Sequence, residues 1–384
     1  MVAEPSAVCD EIFPDFRDSK LRMVVISDAT AERNGVGSYY ADLISQIRPK
    51  VETAELICPD GDLSGVRRFL SPPLPGDSTQ RIWFPRPIKL WRRLKVLRPQ
   101  AIVVPTPGPY GLLGMIYARK MKVPLIVGFH THFEALAGIY WSDFFGRICH
   151  WYLESCNRLL FRHASVVLAN SPEMVSLASR LGAKNVSLMG TSVSSDFLRR
   201  ELTPASPGAR RVLFAGRLAA EKNVSLVIDV ARQRPELTVS IAGDGPLRAE
   251  VETAAAELPN LHYLGWVPRT RLADTIDAND ILLLPSKVES FGTVALEGLA
   301  RARPVIVSGA CGIAEWPELD SGVFTVRAGE RVVDCVDRVR AMSVEMRAAR
   351  AEQGHLAARR LNDWNANSWI QRLRGSAGDA ALAR

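Results

Sequence analysis

Arg211-Val-Leu-Phe-Ala-Gly216-Arg217-Leu-Ala-Ala-Glu221-Lys222-Asn223 is the stretch on which the reading of this chain turns. An apolar run ends on a glycine, a cation, a carboxylate and a second cation follow, and the pattern then becomes helical. Short apolar runs separated by helices are what a parallel sheet demands, because helices cover both of its faces. Runs of the same kind follow at Val239–Ala242, Leu261–Leu264, Ile281–Pro285, Val305–Val307 and Val323–Val326. An earlier series holds Met23–Ser27, Ala54–Ile57, Ala101–Val104, Leu125–Phe129, Val166–Ala169 and Val186–Met189, and Thr203-Pro-Ala-Ser-Pro-Gly208 separates the two. Two such series predict an α/β chain of two doubly wound, Rossmann-like domains facing across a cleft, which is the default ligand site. The domains are placed at 1–202, with 1–20 an extension, and at 203–348. Helical sequence from about Val332 to Arg374 carries Trp364 and Trp369, and the helices of 349–384 are expected to return to the first domain.

Composition narrows the function classes. A chain of 384 residues with 47% hydrophobic and 23% charged residues is globular and long enough for two cores, which excludes general disorder. The only uncharged stretch of membrane-spanning length, 99–118, is broken by Pro99, Pro105, Pro107, Pro109, Gly108, Gly111 and Gly114, so it reads as strand, turn and short helix. No secretory signal is read at the acidic N-terminus, and the chain is expected in the cytoplasm. The six cysteines include no C-x-x-C pair, which argues against a disulfide framework, a thiolate zinc site and a thioredoxin-like motif. The charge excess, 48 − 41 = +7, bears on partners and solubility rather than on fold.

Several motifs fail their own tests. The dinucleotide fingerprint needs G-x-G-x-x-G, and Gly35-Val-Gly37-Ser-Tyr-Tyr40 puts a tyrosine where the third glycine belongs. Gly243-Asp-Gly245-Pro-Leu-Arg248 fails in the same place. Asn34-Gly35-Val36-Gly37 nevertheless follows a strand and opens a helix, where free amides and the helix dipole favour a phosphate. Asp60-Gly-Asp62 reads as a turn rather than a cation site. His130-Thr-His132 puts two imidazoles on one strand face with only Glu134 near as a third ligand, so no metal is expected there. Arg217 and Lys222 stand at a strand's C-terminal end, where α/β sheets bind ligands, and could counter the charge of a diphosphate. Pro285-Ser-Lys-Val-Glu289-Ser290-Phe291-Gly292-Thr293-Val294-Ala-Leu-Glu297 reads as a strand end, a glycine turn and a helix start. Its second carboxylate lies in the helix's first turns, within reach of sugar or ribose hydroxyls.

Together these segments resemble the retaining GT-B glycosyltransferases of family 4. The matching pieces are the Asn34-Gly35-Val36 loop, Thr106-Pro-Gly-Pro-Tyr-Gly111, Phe129-His130-Thr131-His132, Gly216-Arg217-Leu218 with Glu221-Lys222-Asn223, Gly243-Asp-Gly-Pro246, Leu264-Gly-Trp-Val-Pro268, and Glu289-Ser-Phe-Gly292 with Glu297. The resemblance runs from about residue 21 to 375, and the order and spacing of the set make it specific. It implies a hexosyltransferase that takes a UDP- or GDP-sugar and retains the anomeric configuration, with no required metal or other cofactor. Arg217 and Lys222 would bind the donor diphosphate beside Gly216, and Glu297 would hold the ribose. Glu289 and the amides around Phe291, Gly292 and Thr293 would face the donor sugar. Trp266 and Val267 would flank the base, Gly35 would let the backbone approach the phosphate, and His130 would sit at the reacting sugar. Three departures stand out: Thr191-Ser-Val-Ser194 replaces a Gly-Val-Asp element, Arg301-Ala-Arg303-Pro304 replaces a small-residue turn, and Cys311-Gly-Ile-Ala-Glu315 approximates a Gly-rich loop.

The segment from Arg67 to Arg98 is the clue to the acceptor. Arg67, Arg68, Arg81, Arg86, Lys89, Arg92, Arg93, Lys95 and Arg98 oppose Asp77 alone, with Trp83, Phe84 and Trp91 among them. Such a segment suits docking on an anionic membrane face, at about 1 kcal/mol per cation near the surface. An equal reading is a solvated helix face with its aromatics in the core. The resemblance to glycolipid-forming sulfoquinovosyl-, mannosyl- and glucosyltransferases tilts the expectation to a lipid acceptor and a peripheral location on the inner membrane face. A soluble or polysaccharide acceptor, a GT-B sugar-nucleotide epimerase and a basic binding module stay open as alternatives. No nucleic acid is expected, because the charge is dispersed and no recognition motif accompanies it.

Overall fold

The computed structural model describes residues 19–30, 35–60, 71–74, 77–140 and 144–382. Its strands are β1 (Ser19–Ile26), β2 (Val51–Ile57), β3 (Pro73–Leu74), β4 (Asp77–Arg81), β5 (Ala101–Val104), β6 (Leu125–Phe129), β7 (Val166–Ala169), β8 (Val186–Leu188), β9 (Arg211–Ala215), β10 (Thr238–Ala242), β11 (Leu261–Gly265), β12 (Ile281–Leu284), β13 (Val305–Val307) and β14 (Val323–Thr325). Each apolar run read from the sequence forms the body of one of them. The first sheet has the order β2-β1-β5-β6-β7-β8 and the second β11-β10-β9-β12-β13-β14, with every pairing parallel. β3 and β4 pair antiparallel, apart from both sheets.

Burial explains why these segments are strands. All residues of β5, β6, β7, β12 and β13 are buried, as a sheet covered on both faces requires. Val24, Ile102, Val127, Leu160 and Phe161 belong to the core of the first sheet. Val212, Phe214, Ile241, Leu283 and Ile306 are fully buried in the second. Each such side chain contributes roughly 1.5–3 kcal/mol relative to leaving it in water.

The strand orders also locate the sites. In each sheet the chain runs outward from a central strand, then returns to that strand's other side, so the order reverses between β1 and β5 and between β9 and β12. Crevices open beyond the carboxyl ends of strands at such reversals. Residues 27–30 and 105–108 lie at the first, residues 216–222 and 285–292 at the second.

The chain divides into two compact units. One runs to Ser192 and resumes at Asp363; the other is Val193–Asn362. The sequence placed the changes at 202/203 and 348/349. The earlier position of the first change has a visible cause: the short helix Ser195–Arg199 and the residues after it are held by the Arg301 guanidinium, which donates to the carbonyls of Phe197, Arg200 and Glu201 at 3.1, 3.0 and 2.6 Å. At the other end, a single helix spans Val344–Leu382. Its first half belongs to the second unit, where His355 Nδ1–H donates to Ala300 O at 2.7 Å. From Asp363 it belongs to the first, where Trp369 is fully buried and its indole N–H donates to Tyr39 Oη at 2.7 Å.

Candidate active site

In the second unit, three loops interlock by backbone bonds at the crevice. Gly216 N–H donates to Ala242 O, Leu218 N–H to Asp244 O and Gly243 N–H to Gly265 O, at 2.9, 3.0 and 2.8 Å. Close approach explains the glycine at 243, where a Cβ would lie 1.8 Å from Gly216 O. The Gly216-Arg217, Gly243-Asp and Leu264-Gly segments read from the sequence are therefore one rigid rim.

Arg217 and Lys222 both lie on this rim, each in an ion pair. Arg217 binds the carboxylate of Glu221, which is 4% exposed, and Lys222 binds Glu289. Glu221 O also accepts from Lys287 N–H at 2.7 Å, so the loop after β9 and the loop after β12 are joined through both backbone and charge. Burial alone would lower the Lys222 pKa, but the Glu289 carboxylate outweighs it and holds the ammonium charged. The site thus presents two partly buried cations, each held by a neighbouring carboxylate.

Beyond Glu289 the loop is shaped by Gly292, whose φ of +101° is a left-handed conformation that a side chain would strain. Gly292 caps the helix Thr293–Ala300, and Phe291 is buried edge-on to Trp316 with centroids 6.0 Å apart. Gly312 N–H donates to Glu289 O and Ile313 N–H to Phe291 O, both at 2.8 Å, so the Cys311-Gly-Ile-Ala-Glu315 segment backs this loop. Burial pushes the Cys311 thiol up to about 12, which makes it an inert packing residue. Glu297 is 2% exposed inside the helix and meets Arg269 at 2.8 Å. Burial raises its pKa and the Arg269 guanidinium opposes that rise. Trp266, half exposed, and Val267 lie in the loop that leads to Arg269.

In the first unit, the crevice between β1 and β5 is held by Asp28. Its carboxylate accepts from Thr106 Oγ1–H at 2.7 Å, Tyr110 N–H at 2.7 Å and Gly111 N–H at 3.1 Å, capping the helix Pro109–Met121. Burial raises its pKa against those bonds. A Cβ on Gly108 would meet the Asp28 carboxyl at 2.6 Å, and one on Gly111 would meet Thr106 O at 1.8 Å. The Thr106-Pro-Gly-Pro-Tyr-Gly111 segment is thus shaped by its own packing around Asp28.

The two histidines part company. The sequence put both on one strand face, but β6 ends at Phe129 and neither belongs to it. His132 Nδ1 accepts from Ala135 N–H at 3.0 Å and so caps the helix Phe133–Tyr140. His130 meets Tyr40 Oη through Nε2 at 2.9 Å, and burial lowers its pKa to about 4, so its ring is neutral at physiological pH. Gly35 opens the helix Gly35–Ile47, and among the described residues nothing lies within 4 Å of a Cβ built on it. Asn34 and Asp62 lie outside the described residues, as do Arg67 and Arg68.

The basic segment resolves into the helix Pro87–Leu97 and its approach. Trp91 is turned inward against Tyr117, with centroids 5.1 Å apart, beneath the ammonium groups of Lys120 and Lys95. Arg93 is paired with Glu55. Phe84, Ile88 and Val96 stand 60%, 69% and 73% exposed, with Lys89, Arg92 and Lys95 also exposed among them. Core packing therefore claims Trp91, while the outer face keeps apolar and basic groups together.

The sequence assigned no part to Asp28, Tyr40, Glu221 or Arg269. Only Glu221 carried a local signal, four residues after Arg217; the others act on partners 28 to 90 positions away.

Comparison with known proteins agrees with the two-sheet fold. The glycosyl transferase 4-like domain matches residues 34–189, and the family of glycosyl transferases group 1 matches residues 199–342. Sulfoquinovosyl transferase SQD2 of Arabidopsis thaliana is 26% identical over 260 residues, 64% of this chain and 50% of its own length. A GDP-mannose-dependent alpha-(1-6)-phosphatidylinositol dimannoside mannosyltransferase of Mycobacterium tuberculosis is 33% identical over 137 residues, 34% of this chain and 36% of its own. The matches thus span half or less of the length of these relatives. Among solved structures, HepE of Anabaena in complex with UDP-glucose superposes with a TM-score of 0.68 at 18% identity, covering 92% of this chain and all of that one.

Proposed function

The chain belongs to the GT-B glycosyltransferases of the group 1 and 4-like kind, and from that premise we propose that it moves a hexosyl group from a nucleoside diphosphate sugar to a hydroxyl of a membrane lipid, with retention of configuration. The observation that carries the reading is the pair of partly buried cations, Arg217 and Lys222, on the rim at the strand reversal of the second sheet. Breaking the bond between the anomeric carbon and the diphosphate leaves growing negative charge on phosphate oxygens. Cations fixed beforehand stabilise that charge more in the transition state than in the ground state. Glu221 and Glu289 hold the two cations in place before the donor arrives. The helix Thr293–Ala300 adds the amides of its first turn, and Glu297 accepts from the ribose hydroxyls.

Retention follows if the acceptor oxygen attacks from the face that the diphosphate leaves and gives its proton to a phosphate oxygen. His130 is then a neutral partner of a sugar hydroxyl, in line with its depressed pKa. On this reading Arg217, Lys222 and the amides of the helix Thr293–Ala300 meet the diphosphate without a metal, and a chelator should leave turnover unchanged. Support for a lipid acceptor comes from the outward face of the helix Pro87–Leu97 and from the mannosyltransferase relative, whose name specifies a phosphatidylinositol dimannoside.

The test is sugar-nucleotide turnover against a panel of UDP- and GDP-sugars. Arg217→Ala and Lys222→Ala should each lower kcat by about 10²–10³, the scale of losing one preorganised charge partner. Unchanged turnover in both would overturn the assignment. For the acceptor, Lys89→Glu, Arg92→Glu and Lys95→Glu together should abolish binding to anionic vesicles at physiological salt, leaving Arg93 in its pair with Glu55. Absence of vesicle binding by the parent protein even at low salt would remove the lipid reading.

A further inference from the structure

Tyr40 stands where the glycine fingerprint of residues 35–40 fails, and the structure shows what that position does instead. Its side chain is fully buried, and its hydroxyl has one hydrogen-bond partner among the described residues, His130 Nε2 at 2.9 Å. The rings meet edge-on, 5.4 Å between centroids. Gly128, two residues before the histidine, makes the meeting possible: a Cβ there would lie 2.1 Å from Tyr40 Oη and 2.7 Å from His130 Nε2. Tyr39, which accepts from the Trp369 indole, packs against both rings, with its centroid 4.7 Å from that of Tyr40 and 5.1 Å from that of His130.

Proton bookkeeping settles the direction of the bond. Burial, with the neighbouring Tyr39 adding to it, raises the Tyr40 phenol well above its ordinary pKa, and burial lowers His130 to about 4, so both groups are neutral at physiological pH. A neutral imidazole carries a single N–H. If that hydrogen were on Nε2 it would donate to Tyr40 Oη, and the buried phenol O–H would be left without an acceptor, a penalty that proteins rarely accept. With the hydrogen on Nδ1, the phenol donates to Nε2 and both groups are satisfied. His130 as a residue is only partly buried, and among the described residues its ring has a hydrogen bond through Nε2 and none through Nδ1.

We propose that Tyr40 is a positioning residue for His130: by donating to Nε2 it holds the imidazole in the Nδ1–H form, so that His130 meets the transferred sugar as a hydrogen-bond donor through Nδ1. The inference rests on the reading that His130 contacts the sugar. It assigns to a tyrosine the choice of which face of a neutral histidine reaches the substrate, and it excludes His130 from acting as a cation.

The experiment uses the full chain with ¹⁵N-labelled histidine, the His130 signals being identified by their loss in His130→Gln. Long-range ¹H–¹⁵N correlations in the unliganded protein should show the Nδ1–H pattern, and Tyr40→Phe should convert it to the Nε2–H form or a mixture. Tyr40→Phe should also lower kcat about tenfold with the donor KM within a factor of about two, the size expected from one misdirected hydrogen bond. An Nε2–H pattern in the unmodified protein, or a Tyr40→Phe spectrum identical to it, overturns the proposal without reference to activity. Full activity in His130→Gln overturns instead the reading that His130 touches the sugar, so the two failures are told apart.

Discussion

Arg269 sits against the grain of its own helix. It opens Arg269–Asp277, where the dipole favours anions, yet it carries a positive charge. Its compensation is Glu297 at 2.8 Å, a carboxylate that burial would otherwise drive toward the protonated form. Removing the guanidinium by Arg269→Ala leaves that upward shift unopposed, so Glu297 should take up a proton at a higher pH than in the parent. If the ionised carboxylate accepts the ribose hydroxyls, nucleotide affinity should fall by about tenfold and more steeply as pH decreases, with Arg269→Lys recovering part of the loss. Calorimetric titration of UDP and GDP at pH 6 and 8 checks this, and equal affinities in parent and variant at both values would refute it. At this scale the sequence was legible where chemistry is local. Arg217, Lys222 and Glu289 stand beside glycine turns that mark strand ends, whereas Arg269 and Tyr40 acquire their parts from residues the chain brings near only on folding. The two histidines show the same limit: alternation placed them on one face, but the strand stops before either, and one became a helix cap.

The turn between the helix Thr293–Ala300 and β13 makes the corresponding point for whole elements. The sequence flagged Arg301 and Arg303 as departures from a small-residue turn, and both prove to be buried. Arg301 donates to Asp277 Oδ1 at 2.9 Å and Oδ2 at 2.6 Å besides three backbone carbonyls; Arg303 donates to Asn279 O at 2.7 Å and Asp277 O at 3.0 Å. They replace compact packing with a hydrogen-bonded hub joining the helix Ser195–Arg199, the turn before β13 and the helix Arg269–Asp277 before β12. Arg301→Ala should therefore destabilise the second unit by about 3–5 kcal/mol, because it leaves Asp277 with only the longer contact to Arg303 at 3.7 Å and takes the donor from three carbonyls. Urea unfolding of that unit measures it, and a loss below about 1 kcal/mol would contradict the hub. Asp280 works in the same way on the segment that leads into β9. Burial would raise its pKa, but bonds from Arg211 and Ser206 outweigh this and hold it near about 2. Since the folded value lies below the unfolded one, its contribution is complete above about pH 4 and is lost as pH falls toward 2. Asp280→Asn should thus cost about 2 kcal/mol at pH 7 and much less near pH 2, as paired unfolding curves at the two pH values would reveal. Sheets were readable because apolar runs are continuous and periodic. Hubs were not, because arginine in a turn looks the same whether water or carbonyls receive it.

At the scale of the molecule, the helix Val344–Leu382 is the element that both units share, and its two halves have different duties. The half from Asp363 seals the first unit: Asn365 donates to Ser192 Oγ at 2.7 Å, Lys50 Nζ donates to Asn367 at 2.8 Å, and Trp369 covers Tyr39 and Tyr40. Those tyrosines lie behind His130, so the far end of the chain supports the histidine without touching it. Trp369→Phe keeps most of the packing and removes the indole donor, while Trp369→Ala removes both and should cost about 3–5 kcal/mol. The expected pattern is selective. Hydrogen exchange should accelerate in β1, β5 and β6 and in the helix Gly35–Ile47, with strands β9–β13 unchanged, because the damage falls within one cooperative unit. Affinity for UDP or GDP, read by calorimetry, should hold within about twofold in Trp369→Phe, since the cations and Glu297 belong to the other unit, while turnover should fall because the support of His130 has loosened. Equal loss of exchange protection in both sheets would show that the chain unfolds as one body and that the division at Ser192 and Asp363 has no energetic meaning.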